Sequence, residues 1–362
     1  MHLLLVTDAW HTPGLGVGAL LVELSRELQQ LGHRVTVVQP GAFATLAVPG
    51  SDGCRVAAWP GRRLQRLMDE ARADAIHIAT EGPLGWAARA HCRRRGWAFT
   101  TACHVDWPAL LHRQLRWPVA WGRALWRRFH ATSQRVLATR PARAEQLAGD
   151  LAAPVQLWTP GVDTRLFSLA DPPRPTAALG ALARPVSLYV GPITHDRQVD
   201  AFLRLDVPGS KVVCGAGPLA QPLRERHPNA HWMGWLPRHE LAAVYAAADV
   251  LVVPDRHDGA GRVVLEAMAR GTPVAGLPAE GLQRLLGGEG GALHEDLAVA
   301  WHEALRCPRR GVHARAQSFG WAAAAQRFTQ ALVPVGPAVG AAWRVATRVV
   351  PPKVLQSGGL VE

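Results

Sequence analysis

Asp258 and Glu266 stand at the two ends of a short glycine-bearing stretch, Asp-Gly-Ala-Gly-Arg-Val-Val-Leu-Glu. An apolar run, DVLVVP, ends just before it, and a Gly-Thr-Pro turn leads into another, PVAGLP. The spacing predicts a helix that begins near Gly261. A helix start exposes free N–H groups and a partial positive charge. With only Gly, Ala and Gly ahead of it, its backbone can come close to a phosphate. Glu266 falls about a turn inside, and helical side chains lean back toward the N-terminus. Its carboxylate can therefore accept hydrogen bonds from a ribose beside that phosphate, and Asp258 can accept them from a sugar at the mouth. Read by spacing alone, the same residues also fit a capping Asp and an ordinary helical acid.

The elements that must position such a site alternate along the chain. HLLLVTD, RVTVVQP, AIHIAT and AFTTACH read as short buried strands, and ALLVELSRELQQLGH, RLQRLMDEARA and GPLGWAARAHCRRRG read as helices between them. Apolar strands separated by helices imply a parallel sheet covered on both faces. The pattern breaks in a Pro- and Gly-rich stretch, then restarts with SLYVG, QVDAFLRL, SKVVCGAG, HELAAVYAAA and DVLVVP. The resulting plan is residues 1–166 as a first doubly wound α/β domain, 167–186 as a linker and 187–318 as a second. An amphipathic helix at 319–333 packs back on the first domain, and 334–362 form a tail. Ligands of such sheets bind at the carboxyl ends of the strands, so a cleft between the two domains is the default site.

Composition narrows the partners. A chain of 362 residues suits two domains, and 48% hydrophobic with 19% charged residues excludes a disordered protein. Cys54, Cys92, Cys103, Cys214 and Cys307 are an odd number of well-spaced thiols, which fits a reducing compartment better than a disulfide framework or a zinc cluster. The opening MHLLLVTDAW reads as a buried strand, because it is too short for a signal sequence and has no basic start. No run of about 18 apolar residues predicts a membrane span, and no metal site emerges from the sixteen His. The net charge of +12, almost all of it from Arg, points to an anionic partner. A coding bias toward Arg accounts for part of it. Residues 112–135, HRQLRWPVAWGRALWRRFHATSQR, interleave Trp117, Trp121, Trp126 and Phe129 with Arg113, Arg116, Arg123, Arg127 and Arg128. A basic, Trp-bearing helix fits an anionic membrane surface. It fits a core helix with a solvated basic face equally well. No nucleic-acid motif accompanies it.

The stretch from Asp258 resembles the signature of the retaining GT-B glycosyltransferases of family 4, two acids separated by seven residues and then EAMA.GTPV. LVTDAWHTPGLGVGALLVELSRELQQLGHRVTVVQP, DAIHIATEGPLGWAARAHCRRRG, WTPGVDTRLF, DVPGSKVVCGAGP, AAVYAAADVLVVP and FGWAAAAQRF extend the likeness over roughly residues 1–333. In pattern it is most similar to mannosyltransferases that use sugar nucleotides and to sulfoquinovosyl-diacylglycerol synthase-like enzymes. The resemblance implies a GT-B fold, two Rossmann-like domains facing across a cleft, and metal-independent transfer of a hexose without a cofactor. The hexose would come from a nucleotide sugar, GDP-mannose or a UDP-hexose, and go to a lipid or glycolipid hydroxyl. It implies a cytoplasmic enzyme held peripherally at the inner membrane.

By the same resemblance Glu266 binds the donor ribose, Asp258 contacts the donor sugar, and the helix start at Gly261 with the amides of Arg262 and Val263 meets the diphosphate. Gly16 in GLGVG lets backbone approach phosphate and acceptor, besides making a tight turn. His104 lies near the reacting sugar, although a lone strand-end His is also a common packing residue. The departures fall in GPITHDRQ, where Pro192 stands for a diphosphate-binding Arg and Arg197 for a Lys. Arg197 still neutralises phosphate; Pro192 does not. Ala260 and Ala216 replace a usual aromatic and a usual Asp. Two readings stay open: an active hexosyltransferase, and a catalytically impaired member that keeps the fold to bind. A nicotinamide-dependent oxidoreductase is disfavoured, because GLGVG is not the dinucleotide fingerprint.

Overall fold

The structure, a computed structural model, describes residues 1–10, 16–47, 55–104, 108, 112, 117–139, 141–169, 177–256 and 261–336. Asp258, Ala260, Arg113 and Arg116 lie outside the described residues.

The first parallel sheet contains β1 (His2–Val6), β2 (Arg34–Val38), β5 (Ala75–Ile78), β6 (Thr100–Cys103), β7 (Arg135–Ala138) and β8 (Val155–Leu157), in the order β2-β1-β5-β6-β7-β8. β1 is buried along its whole length, as expected of a parallel strand with helices on both faces. A small antiparallel pair, β3 (Thr45–Ala47) and β4 (Arg55–Ala57), is an excursion that the helix-strand alternation did not anticipate.

The second sheet contains β9 (Val186–Val190), β10 (Ser210–Cys214), β11 (His231–Gly234), β12 (Val250–Val253), β13 (Val274–Gly276) and β14 (Gly291–Leu293), in the order β11-β10-β9-β12-β13-β14. Every pairing in both six-stranded sheets is parallel. The strand order reverses between β1 and β5 in one sheet and between β9 and β12 in the other. These two switch points, at the carboxyl ends of the strands, are where this class of sheet opens a crevice.

The chain crosses between the sheets twice. Val162 and Phe167 bury themselves in the core of the second sheet, with Phe167 edge-on to Tyr245 at 5.9 Å. The helix Trp321–Ala331 returns to the first sheet, where Ala325, Phe328 and Ala331 pack with Leu3 and Leu21. The indole of Trp158 donates to the Ala324 carbonyl at 2.9 Å. The crossings touch each other: Val162 bridges Gly320, and a Cβ on Gly161 would lie 2.6 Å from the Trp321 Cα. Glycine is therefore the residue that lets the outgoing and returning chains meet at that point.

The basic segment 112–135 is not one continuous helix. The described helix is Val119–His130, followed by β7 from Arg135. Its aromatic residues divide between two faces. Trp126 and Phe129 are buried, whereas Trp121 is 67% and Leu125 39% exposed, with Arg123, Arg127 and Arg128 on the surface beside them.

Candidate active site

In the second sheet the crevice at the switch point is lined by Gly191, Pro192, Arg197, Asp255 and Val263. Local structure explains each position. β9 ends at Val190, and the next residues fold over the end of β10, with Gly191 N–H donating to the Cys214 carbonyl and Ile193 N–H to the Ala216 carbonyl. A Cβ on Gly215 would come within 1.9 Å of the Gly191 oxygen, so the two loops meet only because that residue is glycine. A single 3-10 turn, His195–Arg197, then carries Arg197 back to the crevice. Its guanidinium lies 3.6 Å from the Asp255 carboxylate and 3.8 Å from that of Asp196. Pro192 sits on the wall without a charge, and its carbonyl accepts from the Tyr189 hydroxyl at 2.7 Å.

The helix predicted to begin near Gly261 does so, and runs Gly261–Ala269. Val263 faces the crevice. Glu266 is neither a solvated helical acid nor an open acceptor. It is 2% exposed, and its Oε1 accepts from Arg238 Nε at 3.2 Å and Arg262 Nε at 3.1 Å. Its Oε2 accepts from the Tyr245 hydroxyl at 3.3 Å. Burial, with the Glu266 charge next to it, pushes Tyr245 well above the ordinary phenol range. Sequence reasoning missed Arg238 and Tyr245. Both lie on the preceding helix, Arg238–Ala247, and meet Glu266 only through the packing of two helices.

The rest of the EAMARGTPV stretch is structural. Arg270, 4% exposed, donates to the carbonyls of Leu166 and Ser168 and so ties this helix to the interdomain crossing. Gly271 ends the helix at φ +70, where a side chain would be strained and would strike the Arg309 carbonyl. Thr272 is fully buried and donates to the Tyr245 carbonyl at 2.6 Å.

The switch point of the first sheet is built differently. Asp8, just past β1, accepts from the amides of Leu84 and Gly85 at the start of the helix Pro83–Arg95, and from the Thr80 hydroxyl. Burial outweighs those three donors and raises its carboxyl to about 6. A carboxylate of the chain itself thus takes the helix start that a phosphate would otherwise use. Beside it Glu81 faces His130 at 3.3 Å, and His130 also contacts the Thr101 hydroxyl at 2.8 Å.

His104 ends the same sheet's β6. Its Nε2 is buried without a hydrogen-bond partner among the described residues, and burial lowers its pKa to about 4. It is therefore neutral near pH 7, suited to hydrogen bonding with a hydroxyl and not to carrying charge. Gly16 begins the helix Gly16–Gln30, and a Cβ there would meet no described residue within 4 Å. Two residues on, Gly18 packs against the chain itself, where a Cβ would lie 2.1 Å from the Ala9 carbonyl oxygen. Arg197, Gly261, Arg262, Val263 and Glu266 thus gather on the second sheet, with His104 and Gly16 on the first.

Two doubly wound sheets, each with a switch point at the carboxyl ends of its strands and joined by a chain that crosses and returns, have the architecture of a GT-B glycosyltransferase. Residues 15–166 match the family described as Glycosyltransferase Family 4, and residues 184–307 match Glycosyl transferases group 1. The chain is 30% identical to a D-inositol 3-phosphate glycosyltransferase of Streptosporangium roseum, over 86% of this chain and 87% of that one. It is 27% identical to a GDP-mannose-dependent alpha-mannosyltransferase of Mycobacterium tuberculosis, over 75% and 77%. Among solved structures, sucrose-phosphate synthase from Thermosynechococcus elongatus superposes with a TM-score of 0.65 at 19% identity, over 91% of this chain and 98% of that one. This chain belongs to glycosyltransferase family 4, and its activity is glycosyl transfer from a nucleotide sugar.

Proposed function

We propose that the protein is a retaining hexosyltransferase that moves a hexose from GDP-mannose or a UDP-hexose to the hydroxyl of a lipid or glycolipid at an anionic membrane surface. The observation that carries the donor half is the crevice between β9 and β12, where Arg197, Val263 and the start of the helix Gly261–Ala269 come together one turn from a buried carboxylate. In this reading Arg197 and the amides of Arg262 and Val263 hold the diphosphate, and Glu266 holds the ribose. Asp258 contacts the donor sugar, His104 donates to or accepts from a hydroxyl of the reacting sugar, and Gly16 leaves room for phosphate and acceptor. Stabilising the departing diphosphate, aligning the acceptor hydroxyl and excluding water together account for catalysis. The reaction as read uses no metal and no cofactor.

The acceptor half rests on the helix Val119–His130. Val119, Trp121 and Leu125 are exposed, at 43%, 67% and 39%, next to Arg123, Arg127 and Arg128. Apolar anchors flanked by Arg are what an interfacial helix needs. No helix of the described residues is long and apolar enough to cross a membrane, so attachment would be peripheral. The names of relatives span inositol phosphate and mannosyl chemistry, which leaves the acceptor to this helix and not to likeness.

Pro192 favours a second reading, a member that binds donor without turning it over, because the crevice wall carries an uncharged ring where a cation is expected. Incubation with GDP-mannose, UDP-glucose and UDP-galactose, in the presence of phosphatidylglycerol vesicles and a glycolipid fraction, separates the two. Release of nucleoside diphosphate with labelled glycolipid supports the transferase. Nucleotide binding without product over all donors supports the binding protein.

A further inference from the structure

The two guanidinium groups on Glu266 are held differently. Arg238 is one-third exposed and stands over the Phe167 ring at 5.3 Å, wedged between two elements of the core. Arg262 is 56% exposed and rides on the first turn of the helix that bears Glu266. Its guanidinium is the more solvated of the two, so Arg262 is the partner whose departure water compensates best.

Three features give it somewhere to go. The Glu266 carboxylate is already occupied: Oε1 takes both arginines and Oε2 takes Tyr245. A carboxylate has about four lone-pair sites, three of them taken, so a ribose diol with two donors binds through both only if one partner leaves, and the most exposed is the cheapest to displace. Helical side chains lean toward the N-terminus, so a released Arg262 reaches the end of the helix where its neighbour Val263 lines the crevice. Finally, among the described residues that line this crevice Arg197 is the one cation, and it already faces Asp255 and Asp196. A diphosphate brings more negative charge than one partly neutralised guanidinium offsets.

Resting on the donor site proposed above, we propose that Arg262 exchanges partners when donor binds. The ribose hydroxyls take its place on Glu266, and its guanidinium turns to the diphosphate and supplies the second cation that Pro192 does not. Ribose recognition and diphosphate recognition are then coupled through one side chain. A ligand with both groups gains what neither group gains alone.

The test compares the wild type with Arg262→Leu and Arg262→Lys. The probes are GDP, UDP and ADP by calorimetry, and the matching nucleosides by ligand-observed NMR titration. Arg262→Leu should weaken the preferred nucleoside diphosphate at least roughly tenfold, the lower end for a hydrogen bond to a charged group. The same change should leave the nucleoside unchanged or tighter, because Glu266 no longer has to be vacated. Arg262→Lys should recover part of the diphosphate affinity. Equal losses for nucleoside and diphosphate would mean that Arg262 only holds the carboxylate in place, and unchanged diphosphate affinity would remove it from the site. Either result overturns the exchange and leaves the donor site standing. If the folded wild type binds none of the three diphosphates, the donor-site reading fails and the exchange with it.

Discussion

Replacing Glu266 by alanine separates what this carboxylate does for the fold from what it does for a ligand. Its three partners lose different amounts. Arg262 is 56% exposed and Arg238 33%, so water replaces the carboxylate at both. That loss is below about 1 kcal/mol for each. Tyr245 is fully buried, and Glu266 is the described acceptor of its hydroxyl. An orphaned buried hydroxyl costs about 1–3 kcal/mol, and this term sets the stability loss. Nucleotide binding loses hydrogen bonds to a charged group, about 1.5–3 kcal/mol, or roughly one to two orders of magnitude in Kd. The lower end is expected if Arg262, freed by the same change, already turns to the phosphate. Urea unfolding reads the first quantity, and calorimetry with GDP, UDP and ADP on the folded variant reads the second. Adding Tyr245→Phe removes the orphaned hydroxyl, so the double variant should regain stability without regaining nucleotide affinity. Unchanged affinity in Glu266→Ala, or affinity restored by Tyr245→Phe, would refute the ribose role.

Other outcomes follow from the same geometry. Asp8 has a folded-state carboxyl near 6 against an ordinary 3.8, so its contribution to stability is fully present below about pH 4 and is lost as pH rises through 6. The gap corresponds to roughly 3 kcal/mol, and Asp8→Asn should flatten the denaturant-measured stability between pH 4 and 6; an unaltered profile would show that burial does not hold the proton. Trp126→Ala should cost about 3–5 kcal/mol by emptying a core position. Trp121→Ala should change stability by less than about 0.5 kcal/mol yet weaken binding to phosphatidylglycerol vesicles. Neutralising Arg123, Arg127 and Arg128 together should release the protein from anionic vesicles and remove the salt dependence of co-sedimentation, at ~1 kcal/mol for each charge; equal recovery on neutral and anionic vesicles would end the membrane reading. Pro192→Arg should raise turnover, by up to ~10²-fold if the new cation reaches the departing phosphate, and no detectable turnover in either form would favour the binding protein.

β1, β2, β5, β6, β9, β10, β12 and β13 were legible, because a parallel sheet buries both faces and so writes itself as short continuous apolar runs, whereas β7, β8, β11 and β14, each of three or four residues, were not read. β1 and β12, buried along their whole lengths, are the clearest cases. β3 and β4 were not legible, since three-residue strands with half their residues exposed carry no period. The helix Val119–His130 shows the limit of composition: aromatic and basic residues identify a helix with two uses, and only packing assigns Trp126 to one and Trp121 to the other. In the site, the helix start at Gly261 could be read from the glycines that follow a strand, whereas Arg197 was singled out only by the resemblance. The clamp on Glu266 could not. Arg238 and Tyr245 come from another helix, and no spacing in a linear chain reports which helices will touch.

The two switch points explain why similar topology need not mean similar use. Each sheet turns a helix start toward the carboxyl ends of its strands, and either could attract an anion on backbone grounds alone. At the first, Asp8 has already spent the amides of Leu84 and Gly85 on a carboxylate of the chain, with Glu81 close enough to raise its pKa further. A phosphate taking the helix start at Pro83 would have to displace one buried acid and face another. At the second, Arg197 brings positive charge to the crevice, and the nearest helical acid, Glu266, is covered by two arginines. An anionic group therefore meets two acids at the first switch point, whereas at the second Arg197 stands against Asp255 and Asp196 and the proposed turn of Arg262 adds the cation that tips the balance. The first sheet is left with His104, a neutral imidazole whose buried Nε2 lacks a partner among the described residues, as a group fit for uncharged hydroxyls. In the proposed reading the donor takes the second sheet and the acceptor the first, and a neutral imidazole on the first sheet fits that division.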